Sequence, residues 1–285
     1  MNDAIRKGDI IKRQYSYTMI TPDAFLNLCA KTADEIKEAV APLIGTDFGA
    51  EEIAMGADNT PTERLDKVAE DIVIRNFRAV QACRYLLSEE AGLVDLGGDK
   101  GIVYLDPVDG SFNAARGLPF YAVSFGLSDG KRLAAGYVRD LSSGESFSAV
   151  RGGGAFLNGR ALQPSVMSDI RRASISYYAN RPHPKMLQDV GLFVRRTRQF
   201  GASALELCYV AAGRLEAFLD LRGNLRITDA AGGILICEEA GVLVTLPSGE
   251  PADFPDDVKQ GRPLLAAPPA LHAQIVEALK EGGGK

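Results

Sequence analysis

Val103 to Asn113 reads VYLDPVDGSFN, and the fold turns on how this stretch is understood. An apolar, strand-like run leads into Asp106 and Asp109, and Gly110 and Ser111 follow at once. Asp-Pro and Asp-Gly pairs are ordinary turn formers, because Asp bonds nearby backbone and Gly accepts positive φ. Two carboxylates in a stiff turn also stay ionised around a divalent cation, and hard cations take oxygen ligands of this kind. The stretch alone leaves both accounts open. A metal site needs more carboxylates from elsewhere in the chain.

The chain has 285 residues, enough for one large domain or two packed subdomains. Hydrophobic residues make up 46% and charged residues 24%, as in folded soluble proteins. A net charge of −5 gives no basic bias toward nucleic acid, so an anionic substrate must be drawn by local charge. Cys29, Cys83, Cys208 and Cys237 are scattered without a C-x-x-C pair, which fits buried thiols in a reducing cytoplasm. The first 18 residues lack an apolar signal core, and no apolar run reaches the roughly 18 residues of a membrane span. The two histidines, His183 and His272, disfavour His-rich zinc sites and Ser-His-Asp chemistry. Carboxylates and metals are left to carry any catalysis.

Outward from the opening stretch, Thr21 to about Ile44 is helical, with Thr21 as N-cap, Pro22 in the first turn and Phe25, Leu28, Cys29, Ile36 and Val40 on one face. Residues 45–61 are Gly-rich and irregular, and a loop of this length is often functional. Residues 62–80 return to helical spacing. Strands are expected over 84–88, 101–106, 120–128, 131–140 and 145–151, with Asp129-Gly130 marking a hairpin. The glycines of 151–160 end this antiparallel layer. After about residue 166 the texture alternates. Strands are expected at ASISYYA, LEAFLDL, GVLVTLP and PLLAAP, and helices at 184–192, SALELCYVAAGR, TDAAGGILICEEAG and 269–281. The expected halves are therefore 1–165, α+β with most of the acidic clusters, and 166–285, mixed α/β.

Four acidic clusters fall at junctions between these elements: Asp58 and Asp66, Glu89 and Glu90, Asp106 and Asp109, and Asp229. Each alone has a plain account. Asp66 fits a solvated helix face, Glu89 and Glu90 fit a strand end, and Asp229 fits a helix N-terminus favoured by the dipole. Together, carboxylates at strand ends and helix starts can converge on one edge of a layered fold.

SEE (88–90), DPVDGSFN (106–113) and TDAAGGILICEEAG (228–241), in that order, resemble the inositol monophosphatase superfamily. These are metal-dependent, lithium-sensitive phosphatases that include fructose-1,6-bisphosphatases. The resemblance spans roughly residues 55 to 245. Thr228 stands where the family has Trp, and Val242 where it has a second Gly; neither change removes a ligand. GADNTPTERLD and LDLRGNLRITD look closer to the archaeal-type members, which accept both fructose 1,6-bisphosphate and inositol monophosphates.

The resemblance implies an α+β fold of five layers, αβαβα, with the site between the two halves. It implies that Glu89, Asp106 and the Val108 carbonyl hold a first Mg²⁺, that Asp106, Asp109 and Asp229 hold a second, and that Asp66 with Glu89 completes a weaker third; Mn²⁺ is an alternative. A metal-activated water would attack the phosphorus, with Ser111 and Asp66 orienting it and accepting its proton. Covalent attack by Asp109 is the competing route, disfavoured because a metal-bound carboxylate is a poor nucleophile. The phosphate would rest on the amides of Gly110 and Ser111, with Asn113 supporting the turn. Asp109, Asp229 and Asp220 could accept substrate hydroxyls, helped by amides around Ala202 and Ser203. Arg222 and Arg226 could grip a second phosphate, as could Arg181. The 45–61 loop is expected to act as a flap carrying Asp58 and Thr60. The expected partner is a small phosphate ester, with no nucleic acid and no membrane, in a cytoplasmic homodimer. Competing functions are hydrolysis of 3′-phosphoadenosine 5′-phosphate, NADP⁺ or histidinol phosphate, and a non-catalytic metal-binding regulator.

Overall fold

A computed structural model describes residues 19–179, 190 and 193–282. Helix α1 (Pro22–Val40) begins as its sequence dictates. Thr21 is extended, its Oγ1 accepts the Ala24 amide at 3.3 Å, and Pro22 occupies the first turn, where its missing N–H costs nothing. Its buried stripe is Phe25, Cys29, Ala33, Ile36 and Val40. Helix α2 (Arg64–Ala79) buries Leu65, Ala69, Ile72, Val73 and Phe77. Phe77 meets Phe25 edge-on at 6.1 Å and stacks on Phe125 of the neighbouring sheet at 5.6 Å, so the two helices share one layer.

The residues before α2 form a small hairpin, β1 (Glu52–Met55) and β2 (Pro61–Glu63), within what the sequence presents as an irregular loop. Every β1 residue is exposed, so no alternating pattern marks it.

The large sheet has eight strands: β3 (Tyr85–Ser88), β4 (Gly92–Asp95), β5 (Ile102–Asp109), β6 (Ala122–Ser128), β7 (Leu133–Asp140), β8 (Ser146–Val150), β9 (Gly154–Leu157) and β10 (Arg160–Ala161). They lie in the order β10-β9-β8-β7-β6-β5-β3-β4, all antiparallel except β3 beside β5. Alternation along β6 sends Val123, Phe125 and Leu127 to the α1/α2 side and Ala122 to the other.

Five strands make the second sheet: β11 (Ser174–Tyr178), β12 (Arg196–Arg198), β13 (Ala217–Leu225), β14 (Leu243–Thr245) and β15 (Arg262–Ala267), in the order β12-β11-β13-β15-β14. The first three are parallel and the rest antiparallel. The textural change near residue 165 falls in the stretch between β10 and β11. The short α3 (Ser111–Ala115) follows β5. Between the sheets lie α4 (Ser203–Ala211) and α5 (Ile227–Glu239); α6 (Pro269–Gly282) covers the outer face of the second sheet. The layering is α1/α2, sheet, α4/α5, sheet, α6, the five-layer αβαβα order that the resemblance implies. The expected helix at 184–192 falls almost wholly outside the described residues, as does Arg181.

Helix α5 sits close on the large sheet because small residues face it. A Cβ at Gly232 would lie 2.8 Å from the Phe125 carbonyl oxygen, and one at Gly126 would lie 2.5 Å from Ala231 Cβ. The D-A-A-G-G run thus lets the helix approach the strands, and that approach fixes where Asp229 points.

Candidate metal centre and phosphate cradle

Between Asp106 and Asp109 the β5–β6 pairing slips. Asp106 faces Ser124 and Asp109 faces Ala122, so three steps on β5 match two on β6. This is a bulge of one residue, occupied by Pro107 and Val108, and Pro is suited to it because it has no N–H to pair. In a regular strand, residues three apart point to opposite faces. The bulge restores Asp109 to the cavity side, and Asp106, Val108 and Asp109 all line one cavity of about 510 Å³.

Other junctions deliver the remaining acids. Glu89 follows the end of β3, and Asp229 sits in the first turn of α5. Glu89, Asp106 and Asp229 each offer a carboxylate oxygen within 4.8 Å of the others. Asp229 Oδ2 also accepts the Arg226 amide at 3.0 Å, so its helix-start role and its place in the cluster coexist. Asp109 Oδ2 accepts the Leu205 amide at 3.1 Å, which ties β5 to the start of α4.

Glu89, Asp106, Asp109 and Asp66 are held far from their ordinary behaviour. Burial, then the charge of Asp229, pushes Glu89 up to about 8. Burial, then Glu89, Asp109 and Asp229, raises Asp106 well above the carboxylate range. Burial raises Asp109 likewise, against the hydrogen bond from Leu205. Asp66, buried in the first turn of α2, is raised by burial and then by Glu90, Glu89 and Glu63. Packing anions out of water against one another is costly unless cations join them. The donors are all hard oxygens, so this cluster fits a hard divalent cation, with the carboxylates as its ligands.

Gly110 turns the chain from the bulge into α3 at φ +86°, and a Cβ there would lie 3.0 Å from the Phe120 carbonyl oxygen and 3.1 Å from Ala202 Cβ. Gly110 and Ser111 both line the cavity beside the acids. Asn113 Nδ2 donates to the carbonyls of Phe120 (2.8 Å) and Phe200 (2.6 Å), which locks this turn to the α4 approach. Support missed by the sequence reading comes from buried Glu70, which accepts Ser88 Oγ at 2.6 Å and the Ala91 amide at 2.8 Å, fixing the Glu89–Glu90 segment.

The other expected site residues divide. Ser203, Arg222, Arg226, Asp58 and Thr60 line the cavity; Asp66, Ala202 and Asp220 do not. The Ser203 amide is directed at Asp109. Asp220 is fully buried, and its carboxylate is engaged by Arg222, with Nη2 at 2.6 Å. Arg226 spans three acids: Asp58, Glu89 (2.7 Å) and Asp229 (3.0 Å). The i,i+3 spacing of Arg226 and Asp229 was the available signal for that pairing. Lys259 also lines the cavity and belongs to no motif that the sequence displays. Among the described residues, no helix is long and apolar enough to cross a membrane.

The sequence model of the inositol monophosphatase family matches residues 22–283. The fructose-1,6-bisphosphatase/inositol-1-monophosphatase of Methanothermobacter thermautotrophicus is 37% identical, covering 89% of this chain and 95% of that protein. A bifunctional NADP phosphatase/NAD kinase of Methanococcus maripaludis is 33% identical over 88% of this chain, which spans 48% of that longer protein. A solved inositol monophosphatase–fructose 1,6-bisphosphatase superposes with a TM-score of 0.80 at 30% identity, covering 88% of this chain and 98% of the other.

Proposed function

Because the chain belongs to the inositol monophosphatase family, we propose that it hydrolyses sugar and inositol phosphate monoesters, fructose 1,6-bisphosphate and inositol 1-phosphate among them, with magnesium as its cation. The observation that carries this reading is the meeting of Glu89, Asp106 and Asp229 within 4.8 Å, in a cavity whose wall continues into the Gly110–Ser111 turn. Glu89, Asp106 and the Val108 carbonyl would hold one ion, Asp106, Asp109 and Asp229 a second, and Asp66 with Glu89 a third. Bound there, divalent ions supply charge neutralisation and Lewis acidity to an in-line displacement at phosphorus.

The chain's own groups do the rest. The Gly110 and Ser111 amides bind phosphate oxygens and stabilise the charge that grows on them. Ser111 and Asp66, the latter as its ionised carboxylate, orient the attacking water and take up its proton. Positioning and charge are most of what phosphoryl transfer asks of a protein. The archaeal relative supports these substrates, and a cytoplasmic homodimer belongs to the same reading. The longer NADP phosphatase/NAD kinase supports a second reading, in which NADP⁺ is the ester.

Phosphate release with magnesium from fructose 1,6-bisphosphate, inositol 1-phosphate and NADP⁺, at matched concentrations, decides between them. Asp106→Asn should cut turnover by about three orders of magnitude and abolish magnesium uptake measured by calorimetry. Retention of both would overturn the proposal, and a wild-type protein that binds magnesium yet releases no phosphate would indicate a regulator.

A further inference from the structure

A stretch of cavity wall rests on a buried polar cluster that the reaction as drawn leaves unused. Gly201 and Ser203 line the cavity, just ahead of and at the start of α4. The Phe200 amide donates to Glu206 Oε1 at 2.8 Å, and the Gly201 amide donates to the Tyr178 hydroxyl at 2.8 Å. That hydroxyl donates in turn to Glu206, at 2.9 Å to Oε2, and Ser176 Oγ donates to Glu206 at 2.8 Å. Glu206 is fully buried. The Tyr178 ring also carries the guanidinium of Arg222 over its face, at 4.3 Å. Arg222 lines the same cavity. A single tyrosine therefore supports two separate pieces of the wall, one through its hydroxyl and one through its ring, beside the Asp220 carboxylate that also holds Arg222.

A buried carboxylate is costly where an apolar side chain would serve the core better. Its return here is geometric. A fully bonded polar network fixes one arrangement where apolar packing tolerates several. We propose that Tyr178 and Glu206 are positioning residues, which hold Gly201 and Arg222 to meet the alcohol part of the substrate. This rests on the phosphatase reading and deepens it. The Ser203 and Leu205 amides that face Asp109 belong to the first turn of α4, whereas the backbone bonds of Glu206 and Tyr178 go to Phe200 and Gly201 ahead of it, so the clamp acts first on substrate fit.

Y178F keeps the ring beneath Arg222 and removes only the hydroxyl. Losing one positioning hydrogen bond should raise KM for inositol 1-phosphate about fivefold to tenfold, with kcat within about twofold and the magnesium half-saturation unchanged. Y178L removes the ring as well and should raise KM further. An unchanged KM in Y178F would overturn the proposal. So would a KM rise accompanied by matching shifts in kcat and magnesium half-saturation, because the tyrosine would then act on the cluster or on folding alone. If the wild-type protein hydrolyses neither ester, the phosphatase reading fails by itself. The clamp is then judged by the calorimetric Kd for inositol 1-phosphate: weaker binding in Y178F supports it, and equal binding overturns it.

Discussion

Arg226 serves three acids from one side chain, joining Asp58 of the hairpin loop to Glu89 after β3 and Asp229 of α5. A planar fork with several fixed donors can do this, and an ammonium cannot. Asp58 itself accepts the amide of Thr60 at 2.8 Å, so the loop's conformation passes through it to the arginine. Removing the guanidinium strands buried or half-buried negative charge. Arg226→Gln should therefore destabilise the protein by about 2–4 kcal/mol in urea titrations without divalent ions. The loss should shrink when magnesium is added, since a cation then neutralises Glu89 and Asp229. Proteolysis within residues 56–60 should quicken in the same variant. A stability equal to wild type in chelator would show that the three acids do not depend on this residue.

At the scale of elements, the helix α5 approach is the feature most exposed to a single change. Gly232→Ala places a methyl 2.8 Å from a backbone oxygen that cannot step aside, so the helix must lift. About 1–3 kcal/mol of stability should be lost on thermal unfolding, with a larger proportional fall in turnover, because Asp229 rides on the same helix. Equal activity at reduced stability would show that Asp229 is not set by this contact.

The elements also show what a sequence can and cannot disclose. α1, α2 and the long strands were legible because apolar residues recur at the spacing of one buried face. The convergence of Glu89, Asp106 and Asp229 was legible because Glu89 and Asp229 sit at element ends and Asp106 lies in a run with specific spacing. The β5 bulge was hidden: Asp106 and Asp109 read as a turn, and only the pairing with β6 shows that Pro107 and Val108 take up one extra step. β1 was hidden because its residues are all exposed. The ion pairs of Arg226 with Asp58 and Glu89 were hidden because those partners lie more than a hundred residues away in sequence. Glu70 was hidden because a buried glutamate on an amphipathic helix looks like its solvated neighbours.

For the whole molecule, the raised carboxyls couple stability to pH and to cations. Glu89 in the folded protein loses its proton near 8, whereas in the unfolded chain it does so near the ordinary value of about 4.3. Glu206, raised by burial to about 7, behaves in the same sense, and Asp66, Asp106 and Asp109 are raised as well. Between those values the folded state binds more protons than the unfolded one, so unfolding releases protons. The stabilising contribution is fully present below about pH 4.3 and is lost as pH rises through 7 to 8. Carboxyls shifted the other way, such as Glu145 and Asp129, are paired near the surface and finish titrating in acid, so they do not offset the trend at neutral pH. Each pH unit of a single shift corresponds to about 1.4 kcal/mol, which makes the combined effect large enough to read in a melting curve. In chelator, the melting temperature should fall steadily from pH 5.5 to pH 8.5. Magnesium should flatten or reverse that fall, because cations then hold the ionised carboxylates that otherwise repel. Asp106→Asn should melt higher than wild type in chelator at pH 8, since one buried charge is gone, and should gain nothing from magnesium. A cation-free melting temperature that stays level or climbs across this range would mean that these acids do not crowd one another in the folded protein, and the carboxylate cage would lose its physical basis.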